Sequence, residues 1–545
     1  MKYTILAFFV FGLFSLNHSY AEETLNAPVI PKPLNVMPSK IKPVQSGTDE
    51  LSKAAPENNS ILTDLSHLDS LSPLPMDGFQ NDFWNGLSWT DLKPFLMENG
   101  TLTASKSVRN LSIKALLSSG APKDKLPESE EGLYAHRLNK LVDLGNFKDA
   151  QSLYKLNEAP PPSSLAARAG IESTLGQNNI AVACLDQKTF TNTLKTNDPQ
   201  FWKNLDLFCQ TLLSPAAGDD DELRLENASR AYLSIVVSNP KTTADINELD
   251  IVTTIALLKS GFFERFFSNS NILKEINDKH LALFLNYMPH IETSFTLLKE
   301  GIRRGIIDDN SALAFIKSII ADGAAPFYGD YFRLYEESSN LSSISPELLS
   351  LARSDIMLTL LLPLYAQPKM AYPEEYGSLT LRSLALTNQK LPEKFVRKVL
   401  NLSEYSSDNS FDGESILIDS LLGTDDSSSQ LSEKNQNPLL LALKYANYPQ
   451  KHIKSPYDNI YSLTESGNYV MHSDEELSTL IESASKKQMN RVVIRSLKIL
   501  DDKPLDKINP AVFYQILEAL NSAGLTEETM SLTREVLGNL IKINK

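Results

Sequence analysis

Residues Leu144 to Tyr154 read LGNFKDAQSLY, and the reading of this stretch decides the fold. Gly145 closes one run of apolar residues at helical spacing, and Ala150 lies inside the next. Glycine tolerates the left-handed backbone that ends a helix and reverses the chain. A small side chain five residues on lets the second helix lie close to the first. The stretch therefore predicts the turn of a helical hairpin.

Outward from this turn the chain keeps the same texture. LYAHRLNKLVDLG, SLAARAGIESTLG, FWKNLDLFCQTLL, INELDIVTTIALLKSG and PAVFYQILEALNSAG each carry leucine-rich apolar positions at helical spacing and end in short Gly, Asn, Asp or Pro breaks. Alternating Val, Ile and Thr runs hardly occur, so strands are not expected. Helices of three or four turns with short connections form antiparallel pairs. The expected fold class is all-α, an irregular α-solenoid of antiparallel helix pairs.

The spacing around Gly145 resembles a tetratricopeptide hairpin: Phe147 two on, Ala150 five on, Tyr154 nine on and Pro162 seventeen on. Gly176 then reads as a second turn, with Ala181 five on and Asn178 in place of the aromatic. The resemblance is general beyond that, except for a clear final pair around Gly524. It implies that the first helix of each pair lines a concave face. Aligned on Gly145, Asn139 and Asp143 fall on that face as candidate partner-binding residues, and an asparagine there both donates to and accepts from a peptide backbone. In the second pair Ser163, Ala166, Gly170 and Ser173 are expected to leave room for a ligand chain.

The chain of 545 residues divides as follows. Residues 1–21 read as a signal peptide: Lys2 is the basic end, Ile5 to Leu16 the apolar core, and Ser19 and Ala21 the small residues before cleavage between Ala21 and Glu22. The apolar core is much shorter than the roughly 20 residues of a spanning helix. Residues 22–79 form a proline-rich tether in which helices cannot persist. Residues 80–130 hold a short helical segment with Trp84 and Trp89. SWTD (Ser88 to Asp91) reads as a capping box, and Pro94 is expected to kink or end its helix. The two tryptophans either cap this protein's own repeats or dock a partner, and packing is favoured because large aromatics usually bury. Helical repeats are expected over 131–402, polar loops with a short helix over 403–437, and a C-terminal helical unit over 438–545.

Cys184 and Cys209 are the two cysteines. In an oxidising compartment they are expected to form a disulfide between the second helix of one pair and the first helix of the next. Free buried thiols are the alternative, while a redox pair usually shows C-x-x-C spacing. The words ACLD and FWKNLDLFCQ around them are similar to a signature of secreted helical-repeat proteins of alphaproteobacteria, a likeness that bears on fold and compartment only.

Chemistry is hard to find. The net charge of −15 disfavours nucleic acid and anionic lipid. His67, His136, His280, His290, His452 and His472 lack the three- or four-residue spacing of a helical zinc site. Nucleophile-elbow, Walker and dinucleotide motifs are missing. Soluble lytic transglycosylases carry a catalytic Glu-Ser on a helical superstructure, and Glu172–Ser173 offers that dipeptide. Their downstream glycine-leucine-methionine-glutamine element is lacking, so Glu172 reads as part of a solvated helix face. The expected function is a non-catalytic, periplasmic scaffold or adaptor for a protein or envelope partner, with no metal or cofactor. The alternative is a peptidoglycan enzyme, or an accessory to one, with its site in the concavity.

Overall fold

The computed structural model describes most of residues 78–307 and 437–540. The signal peptide with its Ala21–Glu22 cleavage point, almost all of the proline-rich tether, and all of 308–436 with its polar loops lie outside the described residues. Every described residue falls within one unit, Thr63–Lys545.

Helices dominate, and among the described residues the only β pairing is an isolated bridge between Val470 and Ile508. The first helices are α1 (Trp89–Lys93) and α2 (Lys106–Leu117). Two hairpins follow, α3 (Leu133–Asp143) with α4 (Phe147–Lys155), and α5 (Ser164–Gly176) with α6 (Ile180–Thr189). Then come α7 (Pro199–Leu213), α8 (Asp221–Ile235), α9 (Thr243–Asn247), α10 (Ile251–Lys259) and α11 (Asp278–Tyr287). The C-terminal part contains α12 (Pro438–Asn447), α13 (Pro456–Ser462), α14 (Asp474–Ser485), α15 (Met489–Leu500), α16 (Pro510–Ser522) and α17 (Thr526–Leu540).

Local sequence explains most of these boundaries. Ser88 and Asp91 form the expected capping box at α1, which stops at Lys93; Pro94 begins a π-helical turn to Glu98. Ser105, Ser163, Asp198 and Asp250 cap α2, α5, α7 and α10 with their side-chain oxygens. That last cap corrects one expectation. INELDIVTTIALLKSG is not a single helix, because α9 stops at Asn247 and Asp250 caps α10 afresh.

The same turn closes four of the helix–helix connections. The connections α3–α4, α5–α6, α14–α15 and α16–α17 each place a left-handed residue at the reversal: Gly145, Asn178, Lys487 and Gly524. In each, the residue after it donates its N–H to the carbonyl five residues back: Asn146 to Leu141, Asn179 to Thr174, Gln488 to Ser483 and Leu525 to Leu520. This is the Schellman closure, which satisfies carbonyls that a helix end would leave unpaired. The second turn differs from the expected register. Asn178, not Gly176, is the left-handed residue, so Ile180 matches Phe147 and Ala183 matches Ala150. Gly176 ends α5, and a Cβ there would come 2.2 Å from the Phe147 ring. Its small size serves helix approach.

Neighbouring hairpins pack first helix against first helix, α3 on α5 and α14 on α16. The spatial order departs from the chain order at the C-terminal end. Helix α12 packs on α16, and Asn521 of α16 donates to the Ala446 carbonyl at 3.1 Å. Helix α2 joins the two ends of the chain by contacting α3, α15 and α17. Its last turn is satisfied by the fully buried Arg137, whose Nε donates to Leu116 O at 2.7 Å.

The disulfide is formed. Cys184 on α6 and Cys209 on α7 are bonded, with Cα atoms 5.6 Å apart. Trp84 takes the packed reading: it is fully buried, and its indole N–H donates to Ser118 O at 2.8 Å. Trp89 is half-buried against His136, with ring centroids 5.2 Å apart. No helix among the described residues is long and apolar enough to cross a membrane.

Candidate functional site

The tetratricopeptide resemblance sets Asn139 and Asp143 of α3 on a partner-binding face, and helix α11 of the same chain packs against α3 and α5. The fit begins at Gly145. A Cβ on this residue would come 2.6 Å from the Asp278 carbonyl and 2.7 Å from Ala282 Cβ, so α11 starts against the turn itself. At its far end Asn286 donates to Gly176 O at 2.8 Å, and the Tyr287 hydroxyl donates to Leu175 O. Helix α11 thus satisfies the terminal carbonyls of α5.

Between these anchors Lys279 places its ammonium 3.6 Å from Glu172 and 3.8 Å from Asp143. Asn139 donates to Asp143 Oδ2 at 2.9 Å. Arg168, one turn before Glu172, donates to its carboxylate at 3.0 Å and also pairs with Asp198. The cluster comprises two acids and two bases, closed at its solvent side by Asp198.

Burial and partners set the protonation states. Burial alone pushes the Glu172 carboxyl up, but Lys279 and Arg168 outweigh it and hold the group below the usual carboxylate range. Asp143 goes the other way: burial raises it, Lys279 only partly offsets that, and the neighbouring Glu172 raises it further. Next to Lys279, His280 is fully buried; burial, then Lys279, pushes its pKa down to about 3. Its Nδ1 lies 2.7 Å from Asn277 Oδ1 and its Nε2 3.2 Å from Leu249 O. A second buried group sits at the start of α11, where Asp278 meets Arg304 at 3.2 Å and Arg109 at 4.0 Å.

Three expectations change in this light. Glu172 is not on a solvated face; it is 1% exposed and ion-paired. Sequence reasoning missed it because periodicity does not reveal what packs on a helix. The small residues of α5 do not open a groove either. Gly170 carries the ring of Tyr154, 2.4 Å from where a Cβ would stand, while Ala166 and Ser173 are fully buried. Ser163 is the cap of α5. Finally, Asn139 and Asp143 are half-exposed but already engaged, Asn139 with Asp143 and Asp143 with Lys279 of α11.

Among the described residues no group of three or more His, Cys, Asp or Glu side chains could hold a metal ion. Comparison with protein-family models, with curated proteins and with solved structures finds no match.

Proposed function

We propose that this protein is an exported, non-catalytic scaffold or adaptor, built as an irregular tetratricopeptide-like solenoid, which holds a protein or envelope partner on the surface of its helical hairpins. The observation that carries this reading is the behaviour of the hairpin faces. The face of α3 and α5 receives a helix through paired charges, satisfied carbonyls and a glycine contact. A surface that holds one helix in this way is suited to helix recognition.

The acid chemistry at Glu172 also favours binding over hydrolysis. A glycosidic general acid needs a raised pKa so that it is protonated when it acts. Glu172 is instead held ionised by Lys279 and Arg168.

The proposed compartment is the periplasm, reached by cleavage after Ala21. A tagged mature protein used to capture partners from envelope extracts tests the reading. One stoichiometric partner is expected, on a protein whose N-terminus is Glu22. Peptidoglycan turnover by the purified protein would overturn the scaffold reading in favour of an enzyme.

A further inference from the structure

The four matching turns give the first helices of the hairpins a common register. Counting back from the left-handed residue, Asn139, Glu172, Ile481 and Glu518 each lie six residues before it. Asp143, Gly176, Ser485 and Ser522 each lie two before it. In α3 and α5 three of these four positions meet α11, with Lys279 against Asp143 and Glu172, and Asn286 against the Gly176 carbonyl; Asn139 is linked to them through its hydrogen bond to Asp143. In α14 and α16 the same positions line a cleft of about 400 Å³, walled by Ile481, Ala484, Ser485, Gln515, Glu518 and Ser522. The C-terminal pair therefore presents, as a cleft, the face that the N-terminal pair has filled.

We infer that this cleft is the docking site for a helix of a partner protein that presents a lysine or arginine together with an apolar side chain, laid across α14 and α16 as α11 lies across α3 and α5. The side chains specify that chemistry. Glu518 stands where Glu172 receives Lys279, and it is exposed, so it attracts a cation. Ile481 replaces Asn139 and is 46% exposed, so the partner covers it with an apolar group. Ser485 and Ser522 replace Asp143 and Gly176. They keep the floor shallow and supply hydroxyls without a second carboxylate. Ala484 and Ala519, both buried, let a helix approach closely. Lys487 also lines the cleft and is exposed, so it favours a partner helix with one cation, set against Glu518, over one with two.

This inference deepens the scaffold reading and rests on it for the existence of a partner, but its test reads the cleft directly. The probe is a labelled synthetic peptide with the sequence of residues 277–287, titrated into full-length mature protein and followed by fluorescence anisotropy. Saturable binding is expected. Glu518→Lys weakens it roughly tenfold by reversing the charge, and Ile481→Asp removes it. Both cleft positions are exposed, so circular dichroism of the variants stays that of the parent. Absence of saturable binding, or binding indifferent to both cleft substitutions, overturns the proposal. Concentration-dependent self-association that Ile481→Asp abolishes would give the cleft to a second copy of this chain and also overturn it. An envelope partner that both variants still capture sinks the cleft and spares the scaffold. Peptide binding without any envelope partner does the reverse.

Discussion

The carboxylate of Glu535 accepts a hydrogen bond from the backbone N–H of Ser107 at 2.7 Å, across 428 residues of sequence. The same carboxylate takes the N–H of Lys106 at 3.1 Å and the hydroxyl of Ser105 at 3.0 Å. Helix α17 thereby caps the N-terminus of α2, where unpaired donors and the helix dipole both favour an anion. Glu535→Ala is expected to lower the unfolding free energy by about 1–2 kcal/mol, and Glu535→Gln, which keeps an acceptor, by less. Lys114, half-exposed beside Glu528, serves as the comparison: Lys114→Ala should cost under about 0.5 kcal/mol. Urea unfolding of the three variants decides it, and a neutral Glu535→Ala would refute the cap.

Gly145 and Gly524 share a backbone conformation, with φ of +68° and +85°, but not an environment. Either change to alanine meets the left-handed penalty of roughly 1–2 kcal/mol. At Gly524 nothing stands within 4 Å of the added Cβ, whereas at Gly145 it runs into Asp278 and Ala282. Gly145→Ala should therefore destabilise by upward of about 3 kcal/mol, through displacement of α11. Thermal melts showing equal losses at the two sites would mean that α11 does not press on the turn.

The Cys184–Cys209 bond ties α6 to α7 across a sequence separation of 25. Closing a loop of that length stabilises by about 3 kcal/mol on the chain-entropy model. Cys209→Ala should lower the melting temperature while the helical circular dichroism signal persists. In the unreduced parent, denatured before labelling, no free thiol should react; two reactive cysteines would end the assignment.

Acid should loosen the protein before it unfolds it. His280 is held neutral in the fold, its pKa moved from 6.5 to about 3. The unfolded chain then binds the extra proton first, so stability is full above about pH 6.5 and falls progressively toward pH 3. Glu172, with its lowered pKa, adds a loss of the same sign at lower pH. Asp143, with its raised pKa, opposes it. Unfolding free energies at pH 7 and pH 5 should differ in the parent and differ less in His280→Gln. An identical pH slope in the two proteins would remove His280 as the cause.

Much of the fold was legible because its determinants are local. SLAARAGIESTLG became α5 from its first residue to its last, and the Ser88 box capped α1 as its spacing requires. Cys184 and Cys209 lay on consecutive helices, and helices that touch bring such residues within bonding range. The turn at Gly145 was legible because glycine is the residue a left-handed reversal favours. The next turn was misread for the same reason: Asn178 took that conformation, while Gly176, two residues away, was needed for the Phe147 ring.

The candidate site was legible only as a face. Helical periodicity put Asn139 and Asp143 on one side of α3, because that depends on the chain's own pitch. What covers that side depends on residues far along the chain. Lys279, a single basic residue on α11, becomes the partner of Glu172 only when the intervening helices bring it within 3.6 Å. By itself, then, the sequence determined most of the helices, the capping box at Ser88 and the reversal at Gly145, since each is settled by residues within a turn or two of one another. Tertiary structure alone decided that α11 packs against α3 and α5, that Lys279 meets Glu172, and that Glu535 caps α2. Those outcomes turn on which distant surfaces find complementary charge and shape, and no local period encodes that match.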